Sequence, residues 1–180
     1  TKKNIYYLKG SFLNADKLIE NLINGDDKSN IVEKNFKLKI NLDKLSLDKK
    51  HKINNFEGSL LFKNHKIVSG QLVGNFSNKK KFRYTVESDG DEKITTLFLD
   101  KADSIVGRYK FIKGFDEGVL DFYSSKKGDE SISTLKIYDF KLKEIPTLTK
   151  LLTLASLQGI ADLLSGEGIR FNEFEMNFKN

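Results

Sequence analysis

The sequence predicts a mainly β protein with a few helices, built on a curved antiparallel sheet that has an apolar concave face. Three observations lead to this fold class: apolar and polar residues alternate along most of the chain, turn-forming residues separate the alternating segments, and the apolar residues of each segment fall on one face. Because the opposite face is polar, we expect it to meet water, while a second sheet, a helix or a ligand covers the apolar face.

The alternation predicts eight or nine short strands. In the clearest one, Phe36, Leu38, Ile40 and Leu42 share one face and lysines lie opposite. Further strands are predicted around residues 6–12, 60–62, 82–86, 94–99, 119–123, 135–137 and 174–178. Turn residues such as Asn64-His65 and Lys127-Gly128-Asp129 separate these segments, so we expect sequential antiparallel hairpins.

Two short helical stretches interrupt the strands. The first runs from Asn14, a candidate capping residue, to Gly25, a candidate stop, with Leu18 and Leu22 at helical spacing. The second is a shorter turn from about Ala102 to Tyr109. We interpret both as structural, covering an edge or an end of the sheet.

The segment from Ile145 to Ile169 has the strongest helix signals in the chain. Pro146 suits the first position of a helix, and Gly166 suits the residue just beyond its end. Its apolar residues form two stripes on nearly opposite sides, namely Leu148, Leu151, Leu152, Ala155 and Leu163, and Leu154, Leu157, Ile160, Ala161 and Leu164. Two stripes predict either one helix buried on both sides or two short helices broken near Gly159, with this segment covering part of the apolar face.

Composition limits the function classes. The chain has 180 residues, enough for one domain, and 38% of them are hydrophobic, which argues against disorder. The net charge of +6 comes from 31 basic residues scattered among 25 acidic ones, so nucleic-acid binding is a weak third hypothesis and no nucleic-acid partner is expected. Without cysteine, the chain has no thiolate metal site, disulfide or cysteine nucleophile.

No motif in the sequence indicates catalysis. Phosphate-binding and dinucleotide-binding glycine loops and a nucleophile elbow are all missing from the sequence. His51 and His65 lie in polar, turn-like surroundings without metal-ligand spacing, so we predict that both are solvent-exposed loop residues. We therefore predict no enzyme activity, no catalytic residue, no metal and no cofactor.

The region from Ile137 to Pro146 and then from Leu151 to Phe171 resembles the C-terminal region of AsmA-like envelope proteins of the YhdP and TamB type. A strand ending in Asp139-Phe140 leads into a helix started by proline, and the residues that follow read LLTLASLQGIADLLSGEGIRF before the next strand. Weaker similarity extends upstream over 97–107 and 118–122. On this resemblance residues 1–180 form a single AsmA-like C-terminal-region domain, a fragment of a much longer protein.

The resemblance implies a function in lipid transport. Proteins of this family lie in the periplasm of two-membrane bacteria, are anchored in the inner membrane by a helix outside this chain, and are thought to conduct phospholipids through an apolar groove towards the outer membrane. The expected partners are therefore phospholipid acyl chains and other envelope proteins. The alternative is a structural or partner-docking module of an envelope assembly protein, with the apolar helix packed permanently against the sheet.

Both hypotheses use the same candidate residues. The residues predicted to face lipid or the core are Phe36, Leu38, Ile40, Leu60, Phe62, Leu148, Leu151, Leu152, Ala155, Ile160, Leu163 and Leu164.

Overall fold

In a computed structural model of the chain, the described residues are 4–24, 35–77, 79–108, 114–143 and 168–179. They form one open, curved sheet and two short helices, which confirms the predicted mainly β class. The elements in chain order are β1 (Asn4–Asn14), α1 (Asp16–Asn24), β2 (Asn35–Ser46), β3 (Lys52–Lys63), β4 (Lys66–Ser77), β5 (Lys80–Asp89), β6 (Glu92–Leu99), α2 (Asp103–Val106), β7 (Phe115–Lys127), β8 (Glu130–Leu142) and β9 (Ile169–Lys179).

The nine strands pair in the order in which they occur along the chain. Every neighbouring pair from β2 to β9 is antiparallel, as predicted. The pair β1 and β2 is parallel, so the prediction of a purely antiparallel sheet was wrong there. A parallel pair needs a crossover connection, and α1 lies within that connection.

The two helices lie close to their predicted positions. The Asp16 backbone N–H donates to the Asn14 side-chain oxygen at 3.0 Å, which is the predicted capping contact at the start of α1. Before α2, the Ala102 backbone N–H donates to the Gly118 carbonyl at 2.8 Å, which ties that helix to β7. No helix in the described ranges is both long and apolar enough to cross a membrane. The helix or helix pair predicted after Pro146 lies outside the described residues.

The hydrophobic core lies on one face of the sheet. Ile53, Leu99 and Leu142 are fully buried, and Ala15 before α1 and Ala102 before α2 belong to the same cluster. The short helices therefore pack at the end of the sheet that these residues share. We call it the closed end, and it contains the last residues of β2 and β8 and the first residues of β3 and β7.

The in–out alternation slips by one residue near the closed end. On β8, Ile137 is buried and so are Phe140 and Leu142, because Asp139 adopts a φ of 50° between them. On β3, Asn55 has a φ of 49°. Asn and Asp tolerate the left-handed region better than other side chains, which explains why these residues occupy the slips.

Two glycines let β3 and β4 approach closely in the middle of the sheet. Gly58 has a φ of 148°, and a Cβ placed there would lie 1.9 Å from the Gln71 carbonyl oxygen. Gly70 has a φ of 157°, and a Cβ there would lie 2.3 Å from the Ser59 carbonyl oxygen. Any other residue at either position would force these two strands apart.

We predict that Gly58→Ala destabilises the fold by at least about 2 kcal/mol, since the added methyl group meets backbone atoms that cannot rotate away. Urea unfolding followed by circular dichroism measures this change. Gly10→Ala is the control, because a Cβ at Gly10 meets only Leu42 at 3.8 Å and its backbone has no positive φ. Equal stability of the two variants would contradict this account of the β3–β4 contact.

Candidate functional site

The candidate site is the apolar face of the sheet, on which one row of residues crosses all nine described strands. Following the register from strand to strand traces a single row of inward residues, of which only one, a glycine, has no apolar side chain: Leu8, Ile40, Gly58, Leu72, Tyr84, Leu97, Phe122, Leu135 and Met176. With strands about 4.8 Å apart, the eight intervals give the row a length of about 38 Å along the curve of the sheet.

The structure brings together five of the predicted site residues on β2 and β3. Phe36, Ile40 and Leu60 are buried, while Leu38 and Phe62 are half-buried. Phe36 lies opposite Phe62 with ring centroids 4.3 Å apart, and Leu38 lies opposite Leu60. The other predicted site residues lie outside the described residues: Leu148, Leu151, Leu152, Ala155, Ile160, Leu163 and Leu164.

The apolar face becomes accessible where it reaches the two edges of the sheet. On the edge strand β1, Tyr6 is 44% exposed. On the opposite edge strand β9, Met176 and Phe178 are 43% and 40% exposed. The sheet therefore combines a well-packed interior at the closed end with accessible apolar side chains at both edges.

The outer face is polar and holds a shallow depression of about 580 Å³ over β1 to β4. The ammonium groups of Lys9 and Lys39 lie 5.6 and 5.5 Å from the centre of the Tyr7 ring, at the rim of this depression. Glu57 and Gln71 also line it. These side chains suit contact with water and polar solutes, so the two faces of the sheet differ clearly in character.

A polar network fastens the closed end. The two ring nitrogens of His51 lie 2.7 Å from Asp48 Oδ2 and 2.9 Å from Asp103 Oδ2, which joins the β2–β3 turn to α2. The His51 side chain is only 11% exposed, so its prediction as a solvent-exposed residue was wrong. The reason is that α2, which is distant in sequence, folds over the turn. His65 is exposed, as predicted.

Asp48 is the hub of the turn. Its Oδ1 accepts hydrogen bonds from the backbone N–H groups of Lys50 and His51 at 2.7 and 2.6 Å. Burial on its own raises the pKa of the Asp48 carboxyl, but the hydrogen bonds from the His51 ring and from these N–H groups outweigh it and hold that pKa below its ordinary value.

Arg108, two residues after α2, makes further polar contacts at the closed end. Its guanidinium group forms an ion pair with Asp16 of α1 at 2.9 Å and donates to the Leu47 carbonyl oxygen. This one side chain therefore connects α1, the end of β2 and α2. The closed end is held by directional polar contacts as well as by apolar packing.

Residues of β8 and β9, which precede and follow the undescribed residues 144–167 in the sequence, meet beside Asp139. Arg170 of β9 donates to the Asp139 carbonyl at 3.2 Å and pairs with Glu117 at 2.6 Å. The hydrogen bond from Arg170 and a second one from Lys141 hold the pKa of the Glu117 carboxyl below its ordinary value. The rings of Phe140 and Phe171 stack 5.2 Å apart at 12°. Residues 139–140 and 170–171 therefore form one local unit across β8 and β9.

In the part of the chain that the structure describes, no group of three or more His, Cys, Asp or Glu side chains could hold a metal ion. In comparisons with family models, with curated proteins and with solved structures, nothing matches this chain. The arrangement of the described side chains is that of an apolar surface fastened at one end.

Sequence reasoning missed the network at the closed end. The pattern from Asp48 to His51 is a typical turn in which an aspartate accepts hydrogen bonds from the following backbone N–H groups. That signal could have identified the turn. Asp103 lies 52 residues from His51 in the sequence, so no local pattern could have shown that the two are partners.

We predict that His51→Asn lowers the free energy of unfolding by about 2 kcal/mol, because the shorter side chain cannot reach both carboxylates. Thermal and urea unfolding measure this loss. His65→Asn is the matched control: His65 is exposed at a turn with a φ of 63°, a conformation that Asn accepts, so its effect should stay within about 0.5 kcal/mol. An equal effect at both positions would contradict a structural role for His51.

We also predict that Asp48 contributes to stability only above acidic pH. Its pKa in the folded protein lies below the unfolded value of about 3.9, so its contribution is complete above about pH 5 and is lost as the pH falls through the folded-state pKa. Urea unfolding of the unsubstituted chain and of Asp48→Asn at several pH values measures this dependence. The stability difference between them should be largest near pH 7 and shrink towards pH 3, and a difference that stays constant would contradict the prediction.

Proposed function

We propose that this chain is a non-catalytic segment of a bridge-like lipid-transfer protein of the periplasm, and that its apolar face contacts phospholipid acyl chains on their way to the outer membrane. On this proposal the parent protein is anchored in the inner membrane and supports the integrity of the outer membrane. The observation that carries the proposal is the row of inward residues from Leu8 to Met176, on a sheet whose edge strands β1 and β9 have exposed apolar side chains.

The dimensions of the row suit an acyl chain. The hydrocarbon of one membrane leaflet is about 15 Å thick, half of the roughly 30 Å core of a bilayer. The row of about 38 Å is therefore more than twice as long as the acyl chains of one lipid. Each CH₂ group removed from water contributes about 0.8 kcal/mol, so a continuous apolar path greatly lowers the cost of moving an acyl chain between membranes.

The chemistry of the row also suits transport better than tight binding. Apolar contact is non-directional, so an acyl chain loses little when it moves from one strand to the next. Along most of the row the successive side chains are Leu, Ile and Phe, without a charged group that would hold a headgroup in one place. A surface of this kind favours movement along the sheet over binding of a lipid at one fixed site.

A second function, a structural or partner-docking module of the envelope, is favoured by the closed end. Ile53, Leu99 and Leu142 are fully buried there, as in the core of any stable domain. If this packing extended over the whole apolar face, no lipid could reach it. The accessibility of Leu38 and Phe62, which are half-buried near the opposite end of β2 and β3, distinguishes the two functions.

The test uses a photo-crosslinking amino acid at neighbouring positions on β2. Leu38 is on the apolar face, and Lys39 is the matched control on the polar face. We predict that the probe at position 38 becomes attached to phospholipid in cells several times more often than the probe at position 39, since only the apolar face holds acyl chains. Mass spectrometry of the crosslinked protein measures this ratio.

A second measurement removes the dependence on the probe. The purified chain without any probe is extracted with organic solvent, and phospholipid is quantified per mole of protein by mass spectrometry. Bound phospholipid together with selective crosslinking at position 38 supports lipid transfer. Absence of lipid in both experiments would reject it and favour the structural module.

A further inference from the structure

We propose that β9 is a self-pairing edge, through which two copies of this chain join antiparallel about a two-fold axis at Met176. This inference concerns assembly and does not depend on whether the apolar face carries lipid. It rests on the exposure of β9 and on the order of its side chains.

No described strand lies on the outer edge of β9. Among the described residues, β9 pairs only with β8, so one side of its backbone has no neighbouring strand. Met176 and Phe178 are 43% and 40% exposed. The strand contains neither proline nor glycine, and a long edge strand of this kind offers unpaired N–H and C=O groups to a further strand.

Pairing centred on Met176 gives a favourable partner to every residue from 173 to 179. On the polar face it sets Glu173 opposite Lys179, and Glu175 opposite Asn177, each twice because of the two-fold axis. On the apolar face it sets Phe174 opposite Phe178, with the two Met176 side chains meeting at the axis. Directly opposed pairs of opposite charge and of apolar residues stabilise antiparallel strands.

Neighbouring registers are worse. Moving the axis to Glu175 places that carboxylate directly against its own copy, and moving it to Phe174 places Glu173 against Glu175. Moving it to Asn177 replaces the pair of Phe174 and Phe178 by Met176 opposite Phe178 and sets the two Asn177 side chains against each other at the axis. Only the register centred on Met176 uses the whole length from Glu173 to Lys179 without opposing like charges.

The other edge does not offer the same complementarity. Over β1 the only charged side chain is that of Lys9, so a second copy would find no opposite charge there. Pairing through β9 would also keep the apolar faces of the two copies on the same side and continuous with each other. One edge buries a small area, so we expect weak association that increases with protein concentration.

Because the chain contains no cysteine, a single introduced cysteine supplies its only thiol. Met176→Cys places one thiol per copy at the proposed axis. Tyr123→Cys is the control, because Tyr123 is 44% exposed but lies on β7, away from both edges. Each folded variant is treated with a short bis-maleimide over a range of protein concentrations, and the covalent dimer is quantified on a denaturing gel.

We expect Met176→Cys to give several times more dimer than Tyr123→Cys. Adding Lys179→Glu to Met176→Cys should reduce the yield, because it opposes two carboxylates, and adding Glu173→Lys as well should restore it. Circular dichroism shows that each variant is folded before crosslinking. Equal yields from the two cysteine positions would overturn self-pairing, and a yield insensitive to the charge changes would overturn the register centred on Met176.

Discussion

The strands of the described residues form a single sheet, and its apolar face has to be protected without a second sheet from those residues; this constraint governs the rest of the structure. In an ordinary β-sandwich the two sheets cover each other. Here all nine described strands belong to one sheet, and the described helices are short. Ile53, Leu99 and Leu142 are fully buried at the closed end, where the helices pack, and Val86 is fully buried farther along the same face.

A few backbone positions have conformations that the sheet requires. Asn55 and Asp139 break the alternation, so that successive strands turn their side chains inward at the closed end. Gly58 and Gly70 remove side chains where β3 and β4 approach most closely. The neighbouring strand requires both glycines, because a side chain at either position would collide with backbone across the β3–β4 pair.

Polar contacts then hold the closed end in one arrangement. Apolar packing has little directional preference, so it does not by itself fix where α2 sits on the turn between β2 and β3. The contacts of His51 with two carboxylates, and of Arg108 with α1 and the residue after β2, fix the position of α2 on this turn. The opposite ends of the strands lack a comparable polar network among the described residues. This asymmetry is what allows one sheet to combine a fixed core with an accessible apolar surface.

The sequence by itself determined the fold class, most of the strands, the first helix with its Asn14 cap, and the inward face that contains Phe36, Leu38 and Ile40. These features follow from the two-residue period of strands and from local capping chemistry, which act over a few residues. Only the tertiary structure decided that β1 pairs parallel with β2, that the His51 side chain is only 11% exposed, and that the inward row continues through the nine described strands to Met176. Strand direction depends on the path of a connection, and burial of a histidine depends on a helix 52 residues away, so neither is encoded in a local pattern.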